Sequence, residues 1–277
     1  MASTLQIYDL ASSSAMELLV IERLIEAPNW TPDGASLIVN GDGRMFRVPL
    51  EAPELIPIET GDFANCNNDH GISPDGESLV ISDSTETGQS CIYVLPVSGG
   101  SPRRLTSNVP SWWHGWSPDG LTLAYVGRRE GVFGIYTMSA EGGEERHLVS
   151  GGGHYDGPDF SHDGAHVWFN SDRGGSMDLW RMPAKGGEPE RMTDDDRVNW
   201  FPHPSPDGRS ALYLSYEPGT EGHPRDRNVE LRLIDLSSGS VRTLMALFGG
   251  QGTINVPCWS PDGSRFAFVS YARPEAN

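Results

Sequence analysis

Cysteine is scarce in this chain. Cys66, Cys91 and Cys258 are the whole complement among 277 residues, an odd set without the paired spacing of a metal site or a disulfide framework. Long apolar runs are missing as well. No stretch approaches the ~20 residues that a bilayer-crossing helix requires, and the opening Met1 to Gln6 lacks a basic segment leading into an apolar run and a small-residue cleavage site. As the chain stands, a cytoplasmic protein is expected, or a periplasmic one whose leader has been removed. Positive charge is short: 20 Lys and Arg against 38 Asp and Glu leave a formal charge of −18. Such a surface repels phosphate backbones, which argues against nucleic acid as a partner and favours ligands that are neutral, cationic or metal-bound. The chain also lacks a Gly-x-Ser-x-Gly elbow, a Gly-rich phosphate loop and a His-Glu-x-x-His helix, so the commonest nucleophile, nucleotide and zinc-hydrolase signatures are excluded. There is no long helical periodicity and no low-complexity tract.

What is present in quantity is Gly and Pro, roughly one residue in five, and much of it sits in one tetrapeptide. Ser-Pro-Asp-Gly begins at Ser73, Ser117, Ser205 and Ser260, with the variants Thr31-Pro32-Asp33-Gly34 and Ser161-His162-Asp163-Gly164. The starts are spaced by 42, 44, 44, 44 and 55 residues, a WD40-like repeat length that signals a repeat architecture. Pro presets φ for the second turn position, Asp suits the third, and Gly takes the left-handed conformation that follows. Hydrophobic runs on both sides make each copy a hairpin turn.

Each full repeat reads as four strands. In the second they fall near 68–73, 78–82, 91–97 and 102–106. The last repeat has two, near 256–260 and 265–270, while two strand-like pieces at 5–10 and 17–22 are unmatched. The expectation is an all-β, six-bladed β-propeller of four-stranded blades: a single domain over 1–277, with residues 1–22 supplying the outer strands of the sixth blade and 255–271 its inner strands. Closure of the ring leaves only short, protected edges and needs no second copy, so a monomer is expected. The 55-residue interval holds one insertion, Glu217 to Arg227, where the other blades make the same connection in roughly seven to ten residues. A longer loop on a rigid scaffold is a place to look for function.

The repeated Trp-Ser-Pro-Asp-Gly, as at Trp116 to Gly120, followed by blade-ending Arg104-Leu105-Thr106 and Arg191-Met192-Thr193, resembles the TolB-type six-bladed β-propeller family over essentially the whole chain. That resemblance implies the fold, and TolB itself is a periplasmic protein-binding component. A partial resemblance to the seven-bladed oligogalacturonate lyases lies in Phe201-Pro202-His203-Pro204-Ser205-Pro206-Asp207. Those lyases carry His-Pro-His-Pro there and hold manganese through histidine. His203 matches, and Phe201 replaces the other histidine.

The turn serves as a ruler. Strand one of each blade runs down the channel into it, so residues three to five places earlier lie at the opposite mouth. Five places before stand Asn68, Asp156, Trp200 and Asn255. Four before stand Asp69, Trp113 and Phe201. His70 and His114 are three before, and His203 is two before. With Tyr155, they would form a rim of aromatic faces and polar edges suited to a small polar ligand, an oligosaccharide or a peptide. The loops between strands two and three bring Arg128, Arg173, His223 and Arg225 to the same face. His70, His114 and His203 are candidate catalytic groups and candidate ligands of manganese, zinc or calcium. The shared offset of His70 and His114 equally fits a structural role. Two functions follow: a binding propeller that needs no catalytic dyad, or a metal-assisted lyase or hydrolase on an acidic oligosaccharide. In the second, a histidine is the general base and an arginine neutralises the substrate carboxylate.

Overall fold

The Ser-Pro-Asp-Gly turns close as their chemistry dictates. In the computed structural model, which describes residues 2–273, the Asp of every turn accepts a hydrogen bond from the Ser or Thr hydroxyl two places before it, at 2.5–2.7 Å. The same oxygen accepts from the backbone N–H two places after. Each glycine stands at φ between +69° and +77°, where a side chain is costly. The turns also interlock. A Cβ on Gly34, Gly76, Gly120, Gly164 or Gly263 would lie 3.4–3.9 Å from the proline of the preceding blade's turn, and at Gly208 the neighbour is His162. Six hairpin turns thus pack head to tail around one end of the channel.

Five blades are four-stranded antiparallel sheets in meander order. Their innermost strands are Glu26–Trp30, Cys66–Ile72, Ser111–Trp116, Tyr155–Phe160 and Val198–Pro204. Burial falls from the channel outwards. The second strands, such as Ser36–Gly41 and Ser210–Tyr216, are buried almost throughout, whereas the outermost strand Ser14–Ile21 is largely exposed. Hydrophobic clusters fill the wedge between neighbouring blades. One joins Leu5, Ile7, Ala267 and Val269 of the sixth blade to Leu37 and Val39 of the first. Each fully buried Leu, Ile or Val among them contributes about 1.5–3 kcal/mol.

The N-terminal strands complete the ring as the sequence implies. Ser3–Asp9 pairs with Arg265–Tyr271 over seven residues, from Ser3 opposite Tyr271 to Asp9 opposite Arg265, and Ser14–Ile21 lies outside it. The innermost segment of this blade is irregular. It is held by a bridge between Trp259 and Phe266 and by N–H groups of Ala267 and Val269 donating to Cys258 and Thr253. The expected span of 1–277 includes residue 1 and residues 274–277, which lie outside the described residues.

The connections between strands two and three differ from expectation. Blades one and three use two-residue turns, Asp42-Gly43 and Glu130-Gly131, all four residues at positive φ, the twist-matched hairpin that Asp-Gly and its analogues favour. Blade five carries the long connection, between Ser210–Tyr216 and Arg227–Asp235.

Candidate functional site

A bulge recurs in the innermost strand of all five regular blades, just before the channel mouth. In blade one, residues 27 and 28 oppose the single residue 39; in blades four and five, 157–158 and 201–202 oppose 169 and 213. Blade two has three residues, 67–69, opposite residue 82, and in blade three His114 is the extra residue. Ala27 and Phe201 take φ of +55° there, and Gly157 +58°. Non-glycine residues in this region are strained and persist where the surroundings over-determine them. A bulge turns side chains out of the ladder alternation, and here it aims polar groups from several blades into the channel.

They meet in a cavity of about 580 Å³ at the mouth opposite the Ser-Pro-Asp-Gly turns. Asp156 is its hub. The carboxylate lies 3.1 Å from His114 Nε2, 3.5 Å from His223 Nε2 and 3.8 Å from His154 Nε2. Gly157 N–H donates to it at 2.8 Å. Burial would raise its pKa, but the three imidazoles outweigh that and hold the carboxyl well below the usual carboxylate range. Asp69 stands 3.9 Å from His114 Nε2 and accepts from the Asn67 side chain at 2.7 Å. Burial pushes Asp69 up to about 6, with the Asp156 charge adding to the push and His114 opposing it. For His114, burial acts downwards, and the two carboxylates overcome it to raise the imidazole above its ordinary value. Its Nδ1 faces the Asn255 carbonyl at 3.4 Å. Both ring nitrogens therefore face acceptors, the arrangement that suits an imidazolium.

The second side of the mouth is an amide chain. His223 Nδ1 bonds the Gln251 side-chain oxygen, Gln251 Nε2 donates to Asn68 Oδ1 at 3.2 Å, and Asn40 Nδ2 donates to Glu26 at 3.2 Å. Burial raises Glu26, while Asn40 and Arg225 pull it back. Trp112, Phe133 and Phe201 supply aromatic walls. No lysine or arginine is among the lining residues.

Of the expected site residues, Asn68, Asp69, His114, Asp156, Phe201, Asn255 and His223 line this cavity. The rest are elsewhere. Trp113 is a wedge between blades: its ring fills the space that a Cβ on Gly71 would need, and it is fully buried. Tyr155 is buried, its hydroxyl donating to the Gly151 carbonyl at 2.7 Å. Trp200 lines a neighbouring cavity. His70 is paired in its ladder opposite Ile81 rather than bulged out of it. It is fully buried beside the backbone of Ile38 and Ala27, and that burial lowers it to about 4. His203 lies deeper, with Nδ1 3.1 Å from Asp159 and Nε2 2.6 Å from the Ile254 carbonyl. The three histidines expected to act together thus share no cavity. His203 has spent both nitrogens on Asp159 and Ile254, and His70 is in its ladder, so the three imidazoles are not brought round a common point.

The arginines do not provide the expected carboxylate clamp. Arg128 lies over the Phe133 ring, Arg173 over Trp180, and Arg225 over Tyr271 and against Asp226. Asn40, Phe133 and Gln251 were out of the ruler's reach. They sit at the end of a second strand, on a third strand and in the connection from blade five to blade six. Their signal was positional, because those segments also end at this mouth.

A family model described as the TolB beta propeller domain matches residues 110–244. An uncharacterised protein of Agrobacterium fabrum is 47% identical over 272 residues, covering 98% of this chain and 93% of that protein. A solved structure assigned to TolB from Agrobacterium tumefaciens superposes with a TM-score of 0.97 at 47% identity, covering 99% of each chain. An oligogalacturonate lyase solved in complex with manganese superposes at a TM-score of 0.59 and 13% identity, over 87% of this chain and 72% of that one, a likeness of fold alone. No helix among the described residues is long and apolar enough to cross a membrane. Six blades on the repeated Pro-Asp-Gly turn, closed by N-terminal strands, together with identity of this level over nearly the full length, make the chain a member of the TolB-type β-propeller family.

Proposed function

We propose that this protein is a binding propeller whose channel cavity holds a small polar ligand that is neutral or cationic. The observation that carries the reading is the Asp156 hub. A buried carboxylate held by three imidazoles from three blades is costly to assemble and is not needed to close the ring, which the turns and inter-blade clusters accomplish. Around it stand carboxylates, amides and aromatic faces without a lining Lys or Arg, which suits hydroxyls and ammonium groups better than phosphates or carboxylates. The volume falls in the range usual for small-ligand pockets.

Acid–base chemistry on the bound ligand is a second reading, favoured by one feature. Asp69, at about 6, lies beside His114, which is also raised, and such neighbouring groups can hold and release a proton near neutrality. A lyase acting on an acidic sugar draws no support from the cavity wall, which offers no guanidinium to the substrate carboxylate.

The test is calorimetric titration with neutral oligosaccharides, amino sugars, polyamines and short peptides, using wild type, Asp156→Asn and the turn-face variant Asp163→Asn. Binding that Asp156→Asn abolishes and Asp163→Asn preserves is expected. Binding that survives Asp156→Asn unchanged would overturn the reading.

A further inference from the structure

The channel cavity has a neighbour. A second cavity, of about 660 Å³, opens between blades four and five, and His154 and His223 are walls of both. Trp200 stands at the boundary, its ring centroid 4.3 Å from that of His223 and 5.9 Å from that of His154. It lines the second cavity, and its buried indole N–H has no hydrogen-bond partner, a deficit that protein interiors rarely leave unfilled. Met177 and Val198 give this cavity an apolar wall, and Gly219 to Gly222, the tip of the long blade-five connection, form another side. One guanidinium reaches it, Arg197, and that group is already engaged by Ser215 and Glu230.

We infer that the two cavities are subsites of one groove that takes a linear, neutral oligosaccharide of at least two units, one in the channel cavity and the next beside Trp200. This rests on the channel cavity being the binding site. Three features point to the ligand class. Each cavity alone has the volume of a small-ligand pocket, so a molecule filling both is longer than one unit. Both combine an aromatic face with fixed polar groups, as the apolar face and hydroxyl edge of a sugar ring require. Neither offers an unpaired guanidinium or ammonium group to a phosphate or a uronate, and the imidazoles of His114 and His223 already face Asp156. The long connection, absent from the other blades, builds the wall of the added subsite, which accounts for its position.

The experiment is calorimetric titration with monosaccharide, disaccharide and tetrasaccharide series of glucan, mannan and N-acetylglucosamine type. It uses wild type, Trp200→Phe, Asp156→Asn and a variant with residues 218–222 shortened. In one series the disaccharide is expected to bind about tenfold or more tighter than its monosaccharide. Trp200→Phe and the shortened loop should weaken the disaccharide more than the monosaccharide and so reduce that advantage, whereas Asp156→Asn weakens both alike. Equal affinity for monosaccharide and disaccharide, or equal loss of both in Trp200→Phe, overturns the second subsite and leaves the channel reading standing. If no glycan binds while a polyamine or short peptide binds in an Asp156-dependent way, the saccharide class is wrong. If no compound depends on Asp156, the channel reading falls with it.

Discussion

At the scale of single residues, the mouth is defined by where protons sit. Asp69 holds a proton in the native state at pH values where the unfolded chain has released it. Its contribution to stability is therefore whole below about pH 4 and is lost as the pH climbs through about 6. His114 and His223, also raised, act in the same direction at higher pH. Asp156, depressed, contributes above the ordinary carboxylate range and loses that contribution on strong acidification. The melting temperature should accordingly fall as the pH rises from about 4 through about 6, and fall less in Asp69→Asn, where the neutral amide has nothing to release. Parallel curves for the two proteins would contradict the assignment. The sequence offset that groups His70 with His114 could not separate them. What does so is bulge length: blade three puts its extra residue at His114 and frees it from the ladder, whereas the longer bulge of blade two frees 67–69 and returns His70 to pairing. Bulge length depends on packing between blades, and no motif announces it.

At the scale of elements, turns and wedges hold neighbouring blades in register. Trp113 of blade three occupies the space over Gly71 of blade two, so Gly71→Ala forces a methyl into a fully buried indole and should cost about 1–3 kcal/mol in chemical denaturation. Gly76→Ala, at φ +77° but with its added methyl in ordinary contact with Pro32, should cost about 1 kcal/mol from backbone strain alone. A reversed order of the two would contradict the account. The turns were legible because their chemistry is local: Ser, Asp and Gly within four residues satisfy one another. Trp113 was not legible as a wedge, because its partner is some forty residues away and the same offset in blade five, Phe201, does line the cavity. The two-residue connections at Asp42-Gly43 and Glu130-Gly131 carried a readable signal in their Xaa-Gly pairs.

At the scale of the whole molecule, closure depends on the N-terminal strands. Removing residues 1–22 takes Leu5 and Ile7 from their cluster with Ala267 and Val269 and bares the Arg265–Tyr271 strand along its length. An exposed edge of that kind invites pairing between molecules. The truncated protein should melt at a lower temperature and self-associate in sedimentation; an unchanged monomer with full melting temperature would refute the closure. The repeat period made the ring and its seam readable, because six similar units must close and only the last lacks partners. The cavity was readable as a face, since counting back from six turns brings distant segments to one mouth. Which side chains enter the channel was decided by bulges and connections. The central claim is that function resides at that mouth, around Asp156, and not on the turn face. The most direct measurement is a crystal structure with the tightest-binding compound from the titration panel. The account predicts density in the channel cavity, within hydrogen-bonding distance of Asp69, His114 or Asp156. A ligand seated on the proline ring of the turn face, with those three groups untouched, would contradict it.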